Sequence, residues 1–494
     1  MTDFLYFLKL LFIFFEWLGF TYIVTFMILN TLLFAVCFGM VVRYKQRRPS
    51  LDMLHDNEAQ YPPVSILVPA YNEETVIIDS LEQLFRIDYP NYEVVVVSDG
   101  STDNTLGVLN AFYDLEPIST VHPGWVKSAP IVGAWRSKKR PNLTVVDKVN
   151  GRKADALNAA LNFSKYPIYV CIDADSYVRE DALLRCIQPF INDPNMVAVG
   201  CGLRVMEGAQ ITGKTSVKGG IPWKFPGSLI VAFQILEYLR AFTISRIGWT
   251  LINAVPLISG AFAMYRKDVV IQAGGYRSGC IGDDSDMTLR VHQYLALINP
   301  RKYKMAFIPE PLCWTQVPMD WKSLFNQRIR WQRGAVDGIL ERPGLLLNFK
   351  QPGLGFVCLP FIIVFALFSP VFDVFGLLVL FVGFGFGLVA IKNFLLSLFF
   401  IYAYWALMSA AAILLDEITY KTYQNKWDVL KLMGLALFEA LGYYHFQLVA
   451  RLLGLYRHLT NQKRDHGHMV RHAMEFKVVP NAASADAAAP SIAA

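Results

Sequence analysis

The segment Ile168-Tyr169-Val170-Cys171-Ile172-Asp173-Ala174-Asp175 decides how the chain is read. A short, apolar, β-rich run that stops abruptly at polar residues is the mark of a buried strand. The same pattern recurs upstream. Val64–Val68 is closed by Pro69 and followed by a helical stretch, Thr75–Phe85. Glu93–Val97 is closed by Ser98-Asp99-Gly100 and followed by a helical pattern from Asn104 to Tyr113. Leu143–Val146 leads to the helical Lys153–Leu161 and then to Ile168–Ile172 itself. Strands that alternate with helices predict a Rossmann-like, mostly parallel α/β sheet. Such sheets bind ligands at the carboxyl ends of their strands, so the polar residues just after each run are the candidates for chemistry.

Outward from this region the composition changes. The 494 residues are 54% hydrophobic and only 17% charged, against about 25% charged in ordinary soluble domains. The depletion is local: it falls in Phe4–Val42 and Gly353–Leu453, on either side of a stretch with soluble composition. About 20 apolar residues suffice to span a bilayer, so Leu18–Val42 is expected to be one span, preceded by an interfacial helix, Phe4–Phe15. The N-terminus does not read as a signal peptide, because its basic residues follow the apolar core and no small-residue cleavage site is evident. Leu354–Phe372, Val374–Ile391, Phe394–Leu415 and Val429–Leu452 are the expected C-terminal spans, giving five in all. The domains implied are 1–48 (interfacial and transmembrane helix), 62–345 (catalytic), 350–456 (transmembrane) and 457–494 (a basic tail, then disorder over Ala482–Ala494).

The net charge is +6, and its basic residues cluster at membrane edges: Arg43, Lys45, Arg47 and Arg48, then Arg457, Lys463, Arg464 and Arg471. That distribution follows the positive-inside pattern and excludes a nucleic-acid footprint. The seven cysteines are scattered without a CxxC pair, which argues for a reducing compartment and against a zinc site.

Asp173 and Asp175, two carboxylates at a strand's carboxyl end, can face one divalent cation that also grips a diphosphate. The competing explanation is a turn or helix cap. Pro69–Glu74 and Val97–Asp103 both follow strands and lead into helices, so they can wrap a nucleoside, or they can be ordinary βα turns. Gly282-Asp283-Asp284-Ser285-Asp286 either offers a base or is a solvated acidic helix start. Gln327-Arg328-Ile329-Arg330-Trp331 either stacks on a sugar or anchors a helix at the membrane edge. Ser259–Phe262 could shape an acceptor pocket, or could be a strand entering a tight turn.

In this order, and with Asn150–Asn158 between them, these motifs resemble the GT-A-fold glycosyltransferases of family 2. Gly282–Asp286 is similar to the ED/TED motif, and Gln327–Trp331 satisfies the QxxRW motif, of that family's processive membrane branch, the synthases of poly-N-acetylglucosamine, chitin, hyaluronan and cellulose. The resemblance covers roughly 64–334. It departs at Asp283, where the family usually has Glu.

The resemblance implies a GT-A catalytic domain inserted between transmembrane helices. Ala70, Asn72, Glu73 and Asp99 would line the uridine pocket, Lys153 would approach the diphosphate, and Asp175 would ligate Mg2+ or Mn2+ with Asp173 beside it. Asp284 would be the general base, Asp283 its neighbour in the substrate site, and Gln327, Arg330 and Trp331 would contact substrate. Asp284 as the only base on the acceptor side implies direct displacement with inversion.

The expected reaction is processive transfer from a UDP-sugar, with N-acetylglucosamine favoured, to a β-linked polysaccharide that crosses the membrane. The expected setting is a bacterial inner (plasma) membrane with the catalytic domain in the cytoplasm. Membrane lipid and export or accessory subunits are further implied partners. The rival readings are a single-addition transferase acting on a lipid carrier, and a transporter with a nucleotide-binding domain. The latter needs intramembrane ionisable residues or broken helices in two matching halves, and neither is evident.

Overall fold

The computed structural model describes residues 2–56, 60–209, 223–298, 302–423 and 425–460. The tail beyond them, with Lys463, Arg464, Arg471 and the expected disordered stretch Ala482–Ala494, lies outside the described residues. One ten-stranded sheet organises the middle of the chain. Its strands are β1 (Val64–Ala70), β2 (Tyr92–Asp99), β3 (Leu115–Pro117), β4 (Ile131–Ser137), β5 (Leu143–Lys148), β6 (Ile168–Cys171), β7 (Ser176–Val178), β8 (Met196–Val205), β9 (Ala263–Arg266) and β10 (Lys304–Thr315). They lie in the order β3-β4-β5-β2-β1-β6-β9-β8-β10-β7. β5, β2, β1 and β6 are parallel neighbours, as the alternation of strands and helices predicts. β8 and β10 are also parallel, whereas β9 runs against both β6 and β8.

Strand residues alternate between two apolar layers. Val64, Ile66, Val68, Val94 and Val96 pack on one side with Ile77, Leu81 and Leu84 of the helix Ile77–Leu84. Leu67, Val95 and Val97 pack on the other side against the helix Lys153–Phe163. Ala154, Ala156, Ala159 and Ala160 of that helix are all buried. Their small side chains let its backbone lie close to the sheet, and this brings Lys153 at its first turn to the carboxyl ends of the strands.

The membrane-like segments differ from expectation in three places. The N-terminal helix is continuous from Thr2 to Arg47, with no separate interfacial piece ending at Phe15. No proline interrupts it, and at about 1.5 Å per residue it is far longer than a hydrocarbon core. The next apolar segment breaks around Phe368 rather than near Asp373: Gly353–Leu367 and Ser369–Gly385 meet at 50°, with Pro370 in the first turn of the second piece. In place of a span over Val429–Leu452 there are two helices, Lys426–Glu439 and Tyr443–Leu459, parted at Gly442. Among the described residues two helices are long and apolar enough to cross a membrane, or three if the bent pair is one span, where the sequence suggested five. Glu439 is buried and pairs with Arg240 at 2.5 Å, which explains a charge inside an apolar block.

Candidate active site

Asp173 and Asp175 occupy the turn between β6 and β7, where the Ser176 amide donates to the Asp173 carbonyl at 2.9 Å. Lys153 Nζ meets Asp173 Oδ1 at 2.5 Å. Asp283 and Asp284 open the helix Asp283–Ile298, where the helix dipole favours carboxylates. Both oxygens of Asp284 are oriented by backbone donors: Oδ1 accepts from the Ser285 amide at 2.9 Å and Oδ2 from the Gly260 amide at 3.3 Å. Gly260 leaves room here for the Lys153 ammonium. A Cβ at this position would lie 2.9 Å from Lys153 Nζ and 3.6 Å from the Asp284 Cβ. Cys171, Tyr265, Asp283 and Asp284 line one small cavity with Gly260.

The charges in this cleft act on one another. Burial, and then Asp173, push the Asp175 carboxyl up to about 7. Burial also lifts Asp283 to about 6, against the opposing pull of Lys153. Burial alone would lower the Lys153 ammonium, but Asp173 and Asp283 outweigh it and keep it above the ordinary lysine value. Asp286, the third acid of its motif, is neutralised elsewhere: Arg342 Nη2 reaches it at 2.7 Å and Arg277 Nη2 at 3.0 Å. Asp283 and Asp284 are thus left to face the cleft.

The donor-side loops are tied together. Asn72, at φ 56°, accepts from the Thr102 amide at 2.7 Å, and the Glu73 amide donates to Thr105 Oγ1 at 2.9 Å. Ala70 ends β1 and is buried beside them. Asp99 is less available than the sequence suggests. Its Oδ1 accepts from Lys148 Nζ at 2.5 Å and from the Gly151 amide at 3.0 Å. Lys148 is fully buried and also reaches Asp155 at 2.7 Å, and nothing in the sequence singles it out. This lock fixes the loop that delivers Lys153.

Gln327, Arg330 and Trp331 lie on the helix Trp321–Leu340, capped by Asp320 through the Ser323 amide at 2.8 Å. Gln327 is buried and accepts from Arg328, Arg330 is half-buried, and Trp331 remains 45% exposed. The Arg328 guanidinium covers one face of the Trp331 ring at 4.2 Å while pairing with Glu237 at 2.6 Å. One turn on, Gly334 touches the backbone of Gly282. A Cβ on Gly334 would fall 2.9 Å from the Gly282 nitrogen and Cα. Gly334→Ala is therefore expected to cost about 1–3 kcal/mol as overpacking. It should lower turnover by tilting Asp283 and Asp284; wild-type turnover with unchanged unfolding would show that this contact positions nothing.

Among the described residues no three His, Cys, Asp or Glu side chains converge as a metal cage. Asp173 and Asp175 nevertheless fit a magnesium or manganese ion, which needs only one or two carboxylates when substrate phosphates and water complete the shell. Burial raises Asp175 most, and both that burial of a bare charge and the added repulsion from Asp173 are what a cation would relieve.

Residues 62–334 match the family model described as Glycosyltransferase like family 2. Poly-beta-1,6-N-acetyl-D-glucosamine synthase of Staphylococcus epidermidis is 25% identical over 290 residues, 58% of this chain and 58% of that protein. The synthase of the same name from Staphylococcus aureus (strain COL) is 26% identical over 306 residues, 62% of this chain and 61% of its own. The chain thus spans about three fifths of the length of these curated relatives. Among solved structures, the mannosyltransferase PcManGT from Pyrobaculum calidifontis in complex with GDP-Man and Mn2+ superposes with a TM-score of 0.47 and 18% identity, covering 89% of this chain and 100% of that one.

Proposed function

This chain belongs to the glycosyltransferase-like family 2, and from that premise we propose that it is a processive, inverting transferase. It moves N-acetylglucosamine from UDP-N-acetylglucosamine to a growing β-linked polysaccharide and passes the product across the membrane. The observation that carries the reading is the gathering of Lys153, Asp173, Asp175, Asp283 and Asp284 around one cleft at the carboxyl ends of parallel strands. The names of the two synthases above support the choice of sugar. Residues 62–345 form the catalytic domain and face the cytoplasm of a bacterial cell, between membrane helices in 1–48 and 350–456.

In this reading Ala70, Asn72, Glu73 and the Asp99 loop hold the uridine, and Lys153 steadies the diphosphate. Asp175 and Asp173 hold Mg2+ or Mn2+, which when bound neutralises charge on the departing diphosphate. Asp284 takes the proton of the acceptor hydroxyl. The hydroxyl oxygen forms the new bond to the anomeric carbon as the bond to the diphosphate oxygen breaks, and the configuration inverts. Arg330 stabilises the negative charge that develops on the leaving group. The exposed face of Trp331 receives the terminal sugar of the acceptor, and Gln327 braces the helix beneath it.

The test is to offer the purified full chain a panel of nucleotide sugars with Mn2+ or Mg2+, reading UDP release and product length. Polymer from UDP-N-acetylglucosamine is expected. A lipid-linked monosaccharide as sole product would favour the single-addition reading instead. Chelation with EDTA is expected to abolish UDP release and either ion to restore it; release that survives EDTA would remove the metal from the scheme.

A further inference from the structure

Among the side chains outside the residues used above, Glu207 and Arg246 are half-buried and each leaves a buried polar atom unmatched. Oε2 of Glu207 and Nη1 of Arg246 have no hydrogen-bond partner among the described residues. Glu207 lies just beyond β8, and its other oxygen accepts from the Val317 amide at 3.2 Å. Burial lifts its carboxyl to about 7. Arg246 opens the helix Arg246–Leu251, and its guanidinium sits 3.9 Å from the centre of the Phe242 ring.

The two approach the same aromatic group from different elements. Next to the Val317 that Glu207 holds, Pro318 accepts from Gln234 Nε2 at 2.7 Å, one helical turn before Tyr238. The Phe242 ring under Arg246 lies 5.7 Å from that of the buried Tyr238, itself 6.5 Å from the ring of Trp331. Each also acts on a different acid of the cleft: Glu207 on Asp175, and Arg246 with Asp284.

Leaving a buried polar atom unpaired costs about 1–3 kcal/mol, so two beside an aromatic pair point to a ligand that satisfies both. An anion would be repelled by Glu207 and a cation by Arg246. A neutral sugar meets both demands. Its hydroxyls donate to the carboxylate and accept from the guanidinium, and its apolar ring face lies against Tyr238 or Trp331. Building on the transferase reading above, we propose that Glu207 and Arg246 are acceptor-binding residues that grip the terminal sugar of the polysaccharide and aim its reactive hydroxyl at Asp284.

The full chain in detergent is titrated with a soluble N-acetylglucosamine oligomer, followed by tryptophan fluorescence, and separately with UDP by calorimetry. Glu207→Gln and Arg246→Gln are expected to weaken oligomer binding about tenfold or more, the usual loss for a hydrogen bond to a charged group. UDP affinity should stay unchanged, and Arg246→Lys should recover part of the loss. Unchanged oligomer affinity overturns the proposal. So does a parallel loss of oligomer and UDP binding with a lowered unfolding temperature, which would mark a structural role. A wild-type chain that binds the oligomer but releases no UDP from any nucleotide sugar would refute the transferase reading while leaving this binding assignment standing.

Discussion

Asp284→Asn is expected to lower turnover by about 10²–10⁴-fold, the range for loss of a positioned general base. Asparagine keeps the size of the side chain but cannot take a proton. It also disturbs the orientation that makes Asp284 distinctive, because both aspartate oxygens accept from backbone amides, those of Ser285 and Gly260. An amide side chain can satisfy only one of them and turns an NH2 toward the other. The resulting cost in stability is about 1–3 kcal/mol, as for one unsatisfied donor. UDP binding, read by calorimetry, should survive, since Lys153 and the loop held by Asp99 are untouched. Asp286→Asn has a different expected signature: it takes the carboxylate charge from Arg342 and leaves Arg277 only the carboxylate of Glu341, and so weakens the fold before it slows the reaction. If Asp284→Asn turned over like the wild type, the proton would have to leave by another route and the assignment of the base would be wrong.

The contrast between Asp284 and Asp286 shows where the sequence stops being legible. Three acids within four residues look alike on paper. Which of them faces a cleft depends on Arg277 and Arg342, the latter 56 residues away from the acid it neutralises. The parallel half of the sheet reads well because β1, β2 and β6 are short apolar runs buried on both faces and stopped by polar turns. β10 does not read as a strand, because Pro309 and Pro311 interrupt it and its register against β8 shifts at those positions. Lys148, Glu207 and Arg246 carry no local signal at all. Each acquires meaning only from what the fold packs against it, as Asp99 and Asp155 are packed against Lys148. The apolar blocks give the presence of membrane-type helices but not their breaks, because hydropathy does not register the bend before Pro370 or the interruption at Gly442.

Glu310→Ala is expected to destabilise the fold by about 3–5 kcal/mol, the cost of stranding buried charges by removing their partner. Glu310 is 1% exposed on β10 and gathers cations from separate parts of the chain. Arg179 donates to it at 2.5 Å, Arg185 approaches to 3.5 Å, Arg48 pairs with it just past the end of the N-terminal helix, and Tyr44 of that helix donates at 3.0 Å. Asp181 alone would then face Arg179 and Arg185. The same contacts fix where the N-terminal helix meets the sheet, and Arg179 directly follows β7, the strand that begins at the residue after Asp175. Loosening Glu310 should therefore also blur the placement of Asp173 and Asp175, so that turnover falls even in chains that remain folded. Adding Arg179→Met to Glu310→Ala should restore part of the stability, because one stranded buried cation is gone while Asp181 keeps Arg185, and the shortfall from additivity measures the pair. The measurement is thermal or denaturant unfolding of the full chain in detergent for the two single variants and the double. Were Glu310→Ala to unfold like the wild type, with the two losses simply adding, the cluster would not be what fastens the N-terminal helix to the catalytic sheet.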